Sequence, residues 1–288
     1  MEIIRAEKMG FCFGVKKAVE TCYEISRKNI SKKYILGMVV HNKDVVKEME
    51  NIGFIMVDEK EILDGTDPLK KGDTIVIRAH GTTSQIIDIL KKKEVNIYDA
   101  TCIFVDKIKE ILIEREKLGD EIIFIGDKEH PEVKGIISFG KKVNVLKNLE
   151  ELKESSLERS KNYSILTQTT LNKSKFLEIK EYLEKYYSKA QIFDRICGAT
   201  SERQEATKKL AKICDVIIVI GDLKSSNSKK LLEVAKAENP NSYLVQNDKE
   251  LKMSIFSENM KVGIAAGAST PEDIIKKIEN KIRGNFNV

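Results

Sequence analysis

A chain of 288 residues, 41% of them hydrophobic and with only 16 Gly and 4 Pro, can bury the cores of about two domains and is neither disordered nor of low complexity. Its 50 basic residues outnumber 45 acidic ones for a net charge of +5, yet Lys so outnumbers Arg that the surplus reads as solvated surface, and no nucleic-acid partner is expected. No apolar run reaches membrane-spanning length and Met1-Glu2-Ile3-Ile4-Arg5 lacks a signal-peptide core, so the expectation is a cytoplasmic protein, monomeric and with no membrane partner.

In chain order, Glu2–Arg5 is a short strand. Gly10-Phe11-Cys12-Phe13-Gly14 is a Gly-flanked turn that opens a helix with an apolar stripe at Val15, Ala18, Val19, Cys22 and Ile25. Near-continuous apolar runs follow at 34–36, Thr74–Ile77, Glu121–Ile125 and 215–220, which suit parallel strands buried on both faces. Helical periods lie between them, as at Val105, Ile108, Ile111 and Leu112. Segments 97–102 and 192–197 share one shape, a strand running into a Cys before a helix. After Cys197-Gly198 the Ser201 and Gln204 spacing reads as a capping box. Strand–helix alternation predicts an α/β fold with parallel sheets.

The polar residues fall in a repeat. Cys12, Cys102 and Cys197 are 90 and 95 residues apart. A strand-ending Gly follows each by 24 or 25 residues (Gly37, Gly126, Gly221), and four residues farther on stand His41, His130 and Ser225. A second strand ends near His80, Thr169 and Ser269. Chance accounts for one such coincidence but poorly for three in register. The prediction is three small α/β units, 6–98, 99–193 and 194–283, with mainly parallel sheets. They are arranged with pseudo-threefold symmetry around a central site, because ligands in open parallel sheets sit at the carboxyl ends of strands. Strand 2–5 has no unit of its own and is predicted to complete the sheet of the third.

Five Cys with no C-x-x-C pair exclude a zinc ribbon or a thioredoxin-type motif, and a disulfide framework is not expected. Cys12, Cys102 and Cys197 each precede a helix, where the dipole and free amide N–H groups favour thiolate, the form that binds metal. Taken singly, each is equally a small buried residue, as Cys22 and Cys214 are expected to be. In common register they suggest one three-thiolate site, either an iron–sulfur cluster or a Cys-rich zinc site. A [4Fe–4S] cluster with three Cys ligands keeps one iron open to act as a Lewis acid.

His41, His80, His130, the run Ser225-Ser226-Asn227-Ser228 and Ser269 supply the imidazoles, amides and hydroxyls of an anion pocket, although Ser225-Ser226-Asn227-Ser228 alone suits a polar helix cap. Glu132, buried near an anion, would have a raised pKa and could donate a proton; a first-turn helix Glu after Pro131 is the plainer alternative. Thr169 would orient such an acid, or cap the helix that follows.

Together these motifs resemble the IspH/LytB family of 4-hydroxy-3-methylbut-2-enyl diphosphate reductases, nearly end to end. They are G-F-C-x-G-V at 10–15, V-V-H-N at 39–42, A-H-G at 79–81, D-A-T-C at 99–102, H-P-E at 130–132, T-Q-T-T at 167–170, S-S-N-S at 225–228 and A-G-A-S at 266–269. The resemblance implies an oxidoreductase of the methylerythritol phosphate route to isoprenoids. Cys12, Cys102 and Cys197 would hold a central [4Fe–4S] cluster whose open fourth iron takes the substrate's allylic oxygen. His41, His80, His130, Ser225, Ser226, Asn227 and Ser269 would hold the diphosphate. Glu132 and Thr169 would deliver and relay protons, with Thr169 also touching substrate. Two electrons from ferredoxin or flavodoxin and two protons would remove the hydroxyl as water, leaving isopentenyl and dimethylallyl diphosphate. Phe13, Ile103 and Gly198 depart from the family pattern, and none removes a ligand. Two other classes stay open: a zinc hydrolase or lyase on the same three Cys, and a non-catalytic iron–sulfur sensor, which has no need of the diphosphate-type rims.

Overall fold

A computed structural model describes residues 1–28, 30, 32–40 and 42–286. Strand and helix alternate throughout. The order begins β1 (Glu2–Arg5), α1 (Phe13–Ser26), β2 (Lys33–Leu36), α2 (Lys43–Asn51), β3 (Phe54–Val57), α3 (Glu59–Asp64), β4 (Thr74–Ile77), α4 (Ser84–Lys92) and β5 (Asn96–Asp99). It continues α5 (Ile103–Lys117), β6 (Glu121–Ile125), α6 (Pro131–Ile137), β7 (Val143–Leu146), α7 (Leu149–Glu154), β8 (Tyr163–Thr167), α8 (Lys173–Tyr186) and β9 (Gln191–Ile192). It closes α9 (Gly198–Ala211), β10 (Val216–Ile220), α10 (Ser226–Glu238), β11 (Ser242–Val245), β12 (Lys261–Ala266) and α11 (Glu272–Phe286).

The strands form three four-stranded sheets, in the orders β3-β2-β4-β5, β7-β6-β8-β9 and β11-β10-β12-β1. Every pairing among the described residues is parallel. The inner strands are buried along nearly their whole length, because helices cover both faces. In β10, Val216, Ile218 and Ile220 pack against Ile274, Ile275, Ile278 and Ile282 of α11. The alternate residues Ile217 and Val219 meet Leu210 of α9 and Leu231 and Ala235 of α10. Each such Ile, fully buried, contributes about 1.5–3 kcal/mol relative to exposure. Gly263 of β12 makes room for this layer: a Cβ there would come within 2.6 Å of Ile217 Cδ1 and 2.8 Å of Leu210 Cγ.

Strand β1 joins the third sheet, with Glu2 to Arg5 in register with Lys261 to Ile264 of β12. Arg5 fastens it: Nε and Nη2 each lie 2.5 Å from the Glu279 carboxylate of α11, and Nη1 lies 2.8 Å from Glu272. Helix α9 begins at Gly198, so Ser201 and Gln204 fall inside its first turns and do not form the capping box their spacing suggested.

The chain packs as two compact units. The smaller comprises 1–16, 40–47 and 198–288 and holds the third sheet; the larger comprises 17–39 and 48–197 and holds the other two. Among the described residues no helix is long and apolar enough to cross a membrane.

Candidate active site

The last edge strand of each sheet (β5, β9, β1) leads into a Cys, and the same main-chain hydrogen bond fixes all three. The Cys102 N–H donates to the Ala79 carbonyl at 3.0 Å, that of Cys197 to Thr169 at 2.9 Å, and that of Cys12 to Ala268 at 3.2 Å. Each acceptor lies just beyond the inner strand beside it (β4, β8, β12). A helix starts at the next residue in each case, at Ile103, Gly198 and Phe13, so all three thiols stand at helix N-termini. They are partly exposed, whereas Cys22 and Cys214 are buried. Burial pushes the Cys22 thiol up to about 12 and the Cys214 thiol up to about 11, which keeps both protonated and inert. Among the described residues no three His, Cys, Asp or Glu side chains gather as ligands of a single ion. Cys102 and Cys197 belong to the larger unit and Cys12 to the smaller, and each offers a soft donor at a helix start, the donor type an iron–sulfur group takes.

The hydrogen bonds also correct the repeat register. Tight turns close with Gly81 N–H on Arg78, Leu171 N–H on Gln168 and Thr270 N–H on Gly267. His80 is therefore equivalent to Thr170 and Ser269, and Thr169 to Ala79 and Ala268. At the other rim His130 and Ser225 are N-caps of α6 and α10, and Asn42 caps α2, accepting the Val45 N–H at 3.2 Å. Asn42 thus matches them in place of His41, which lies outside the described residues.

In the larger unit, a chain of contacts runs from one Cys loop to the other. His80 follows the Ala79 carbonyl that holds Cys102. Its ring meets that of His130 edge-on at 5.4 Å. His130 Nδ1 accepts the Glu132 N–H at 3.2 Å, which places the proton of the neutral ring on Nε2. Glu132, 1% exposed, accepts the Thr169 N–H on Oε1 and the Thr169 hydroxyl on Oε2, both at 2.7 Å. The Thr169 carbonyl in turn holds the Cys197 amide. Burial pushes the Glu132 carboxyl up from its ordinary range, and the two bonds from Thr169 oppose this. When protonated, Glu132 donates to Thr169 Oγ1 while its other oxygen keeps the amide. The threonine hydroxyl then turns its own proton elsewhere.

In the smaller unit, Ser225 caps α10 by accepting the Ser228 N–H. Asn227 occupies the helix position that Glu132 occupies in α6. Its side-chain nitrogen and oxygen, and the Ser228 hydroxyl, are buried with no hydrogen-bond partner among the described residues. Ser228 Oγ fills the space beside Gly221 and Gly267, where a Cβ would collide with it. Ser226 is partly buried and Ser269 is buried. Sequence reasoning missed Arg203, buried in α9, which donates to the Gly10 carbonyl through Nε (3.2 Å) and Nη2 (2.7 Å) and to Ala199 through Nη1 (2.8 Å). It braces the turn before Cys12, where Gly10 has φ +74°. An Arg in so Lys-rich a chain was the available signal.

Comparison with known proteins matches residues 3–283 to the family model described as LytB protein. A protein of Fusobacterium nucleatum named 4-hydroxy-3-methylbut-2-enyl diphosphate reductase is 51% identical over 286 residues, covering 99% of this chain and 34% of that relative. The chain thus spans about a third of that relative's length. A Helicobacter pylori protein of the same name is 40% identical over 285 residues, covering 98% of this chain and 99% of the relative. Among solved structures, the E-1-hydroxy-2-methyl-but-2-enyl-4-diphosphate reductase of Plasmodium falciparum aligns at a TM-score of 0.91 and 30% identity, over 99% of this chain and 89% of that one. A second, (E)-4-hydroxy-3-methyl-but-2-enyl diphosphate reductase, aligns at 0.70 and 35% identity, over 99% and 100%.

Sorting the thiols this way predicts that Cys22→Ser leaves the iron content of anaerobically purified protein intact while Cys102→Ser lowers it; equal loss in both would reverse the sorting. Glu132 gives a second prediction. Its folded pKa lies above the unfolded value of about 4.3, so its contribution to stability is present at low pH and is lost as pH rises through the folded pKa. Gln keeps the shape without the charge. The melting temperature of Glu132→Gln relative to the parent should therefore climb as the pH is raised above the unfolded value, and a difference independent of pH would contradict the assignment.

Proposed function

The chain belongs to the LytB protein family, and from that premise we propose that it reduces 4-hydroxy-3-methylbut-2-enyl diphosphate, removing the allylic hydroxyl as water with two electrons and two protons. The products are isopentenyl and dimethylallyl diphosphate. The family implies an iron–sulfur cofactor, here a [4Fe–4S] cluster on Cys12, Cys102 and Cys197 with its fourth iron open. When bound, that group supplies a Lewis acid for the substrate oxygen and the path for both electrons.

The chain's own residues do the rest. The diphosphate is held by His41, His80, His130, Ser225, Ser226, Asn227 and Ser269. What supports this is the chemistry of the rims: uncharged hydroxyls, amides and imidazoles, with the N-terminus of α10 among them. The buried Asn227 amide costs about 1–3 kcal/mol while unsatisfied, a penalty that a phosphate oxygen relieves. His130, with Nδ1 engaged by the helix, offers an Nε2–H donor. Glu132 holds a proton for the leaving hydroxyl and passes it through Thr169 Oγ1, which also contacts substrate. Burial of that carboxyl keeps bulk water from taking the proton first. The electrons come from a ferredoxin or flavodoxin, and the enzyme works as a cytoplasmic monomer.

One observation carries the reading: through Thr169, the raised-pKa carboxyl of Glu132 is hydrogen-bonded to the amide of Cys197. Acid and cofactor ligand share a single residue as their support. The test is Glu132→Gln, with turnover followed anaerobically using a chemical reductant. Loss of a general acid lowers kcat by about 100-fold or more, while cluster content and substrate affinity hold within about threefold. Turnover at the parent rate would remove Glu132 from this role.

A further inference from the structure

His80 sits in the turn after β4, closed by the Gly81 N–H on the Arg78 carbonyl at 2.9 Å. The residues two before and two after it reach one and the same atom. Glu59 Oε1 accepts Arg78 Nη2–H at 2.8 Å and the Thr82 hydroxyl at 3.0 Å. Glu59 is the first residue of α3, which follows the edge strand β3, so the contact crosses the carboxyl edge of the sheet from β4 past β2. On the way the guanidinium lies against the end of β2. A Cβ at Gly37, where φ is +65°, would collide with Arg78 Nη1.

Arg78 is 9% exposed and Thr82 6%. Arg78 Nε has no hydrogen-bond partner among the described residues. Burial pulls the Arg78 pKa down, and Glu59 pulls it back up. Such a pair adds little net stability over apolar residues of the same volume, because desolvation offsets the attraction. Its yield is a fixed geometry, since one carboxylate oxygen ties the Arg78 guanidinium and the Thr82 hydroxyl to a single point. Among the described residues the other two sheets have no charged counterpart at this position. Gln168 and Gly267 stand where Arg78 does; Gln168 is uncharged, accepts the Asp127 N–H at 3.1 Å and donates to Thr170 Oγ1 at 3.1 Å, and Gly267 has no side chain. The charged strap belongs to the one turn of the three that presents an imidazole.

We propose that Glu59, acting through Arg78 and Thr82, is a positioning residue that sets the His80 ring for the diphosphate; this rests on the reading of His80 as a diphosphate ligand.

The experiment measures inorganic pyrophosphate affinity of the holoenzyme by calorimetry, with KM and kcat for the substrate alongside. Thr82→Val removes one hydroxyl at constant shape and leaves the ion pair intact. Glu59→Gln with Arg78→Met removes both charges together, so no lone buried cation opposes folding. His80→Asn is the control for the reading beneath the proposal. Expected are a rise of about threefold in the pyrophosphate Kd and in KM for Thr82→Val, and about tenfold for the double variant, with kcat unchanged. A purely structural brace would instead lower the melting temperature and the fraction of active enzyme and leave KM alone. If His80→Asn weakens pyrophosphate binding while Thr82→Val and the double variant bind as the parent does, the positioning role is overturned and His80 remains a ligand. If His80→Asn itself binds as the parent does, the reading beneath falls and takes the proposal with it.

Discussion

The amide of each of the three partly exposed Cys is held by a backbone carbonyl just past the neighbouring inner strand, at Ala79, Thr169 and Ala268. Within its own sheet, each Cys is placed by this contact. It uses only main-chain atoms, so it survives when the residues around it change. Each sheet delivers a Cys to the carboxyl edge on its last strand and locks it there before a helix begins. The position of the thiol is thus set by sheet geometry and by the N–H groups of the helix start. What differs between repeats is the chemistry set beside the lock: His80 in the first sheet, Thr169 with Glu132 in the second, Ser269 in the third.

That separation explains which parts of the fold the sequence reveals. Inner strands such as β4, β8 and β10 are buried along their length and announce themselves as unbroken apolar runs. Edge strands such as β3 and β11 are four residues long and exposed at their second position, although β3 is apolar throughout, so an apolar run alone does not separate inner from edge strands. The parallel arrangement followed from alternation. Register did not, because spacing counted along the chain cannot see one residue more in a loop. The turn after β2 reaches its cap at Asn42, five residues past Gly37, where the other two sheets take four. The Ser201 and Gln204 spacing misled for a related reason: α9 starts directly after Cys197, before the expected signal arrives.

Residue type carried more of the site than spacing did. In a chain whose basic residues are mostly Lys, three of the Arg residues fix geometry beside the Cys loops and His80. Arg5 fastens the strand that leads to Cys12, Arg203 holds the turn before it, and Arg78 spans the sheet beside His80. None stood out by motif. Glu132 did, but only coordinates show that, among the described residues, its carboxylate accepts hydrogen bonds from Thr169 and that burial is the main influence on it. Burial favours the protonated form of this carboxyl, and the two bonds from Thr169 oppose it.

The account stands or falls on a shared inorganic centre. Its most direct test is a Mössbauer spectrum of anaerobically purified, iron-57-loaded protein, recorded before and after addition of 4-hydroxy-3-methylbut-2-enyl diphosphate. The account predicts about four sulfide-bridged irons per chain, one of them distinct and changed by the diphosphate while three hold their thiolate signature. Protein that takes up zinc without sulfide, or a cluster whose irons all ignore the diphosphate, would contradict it.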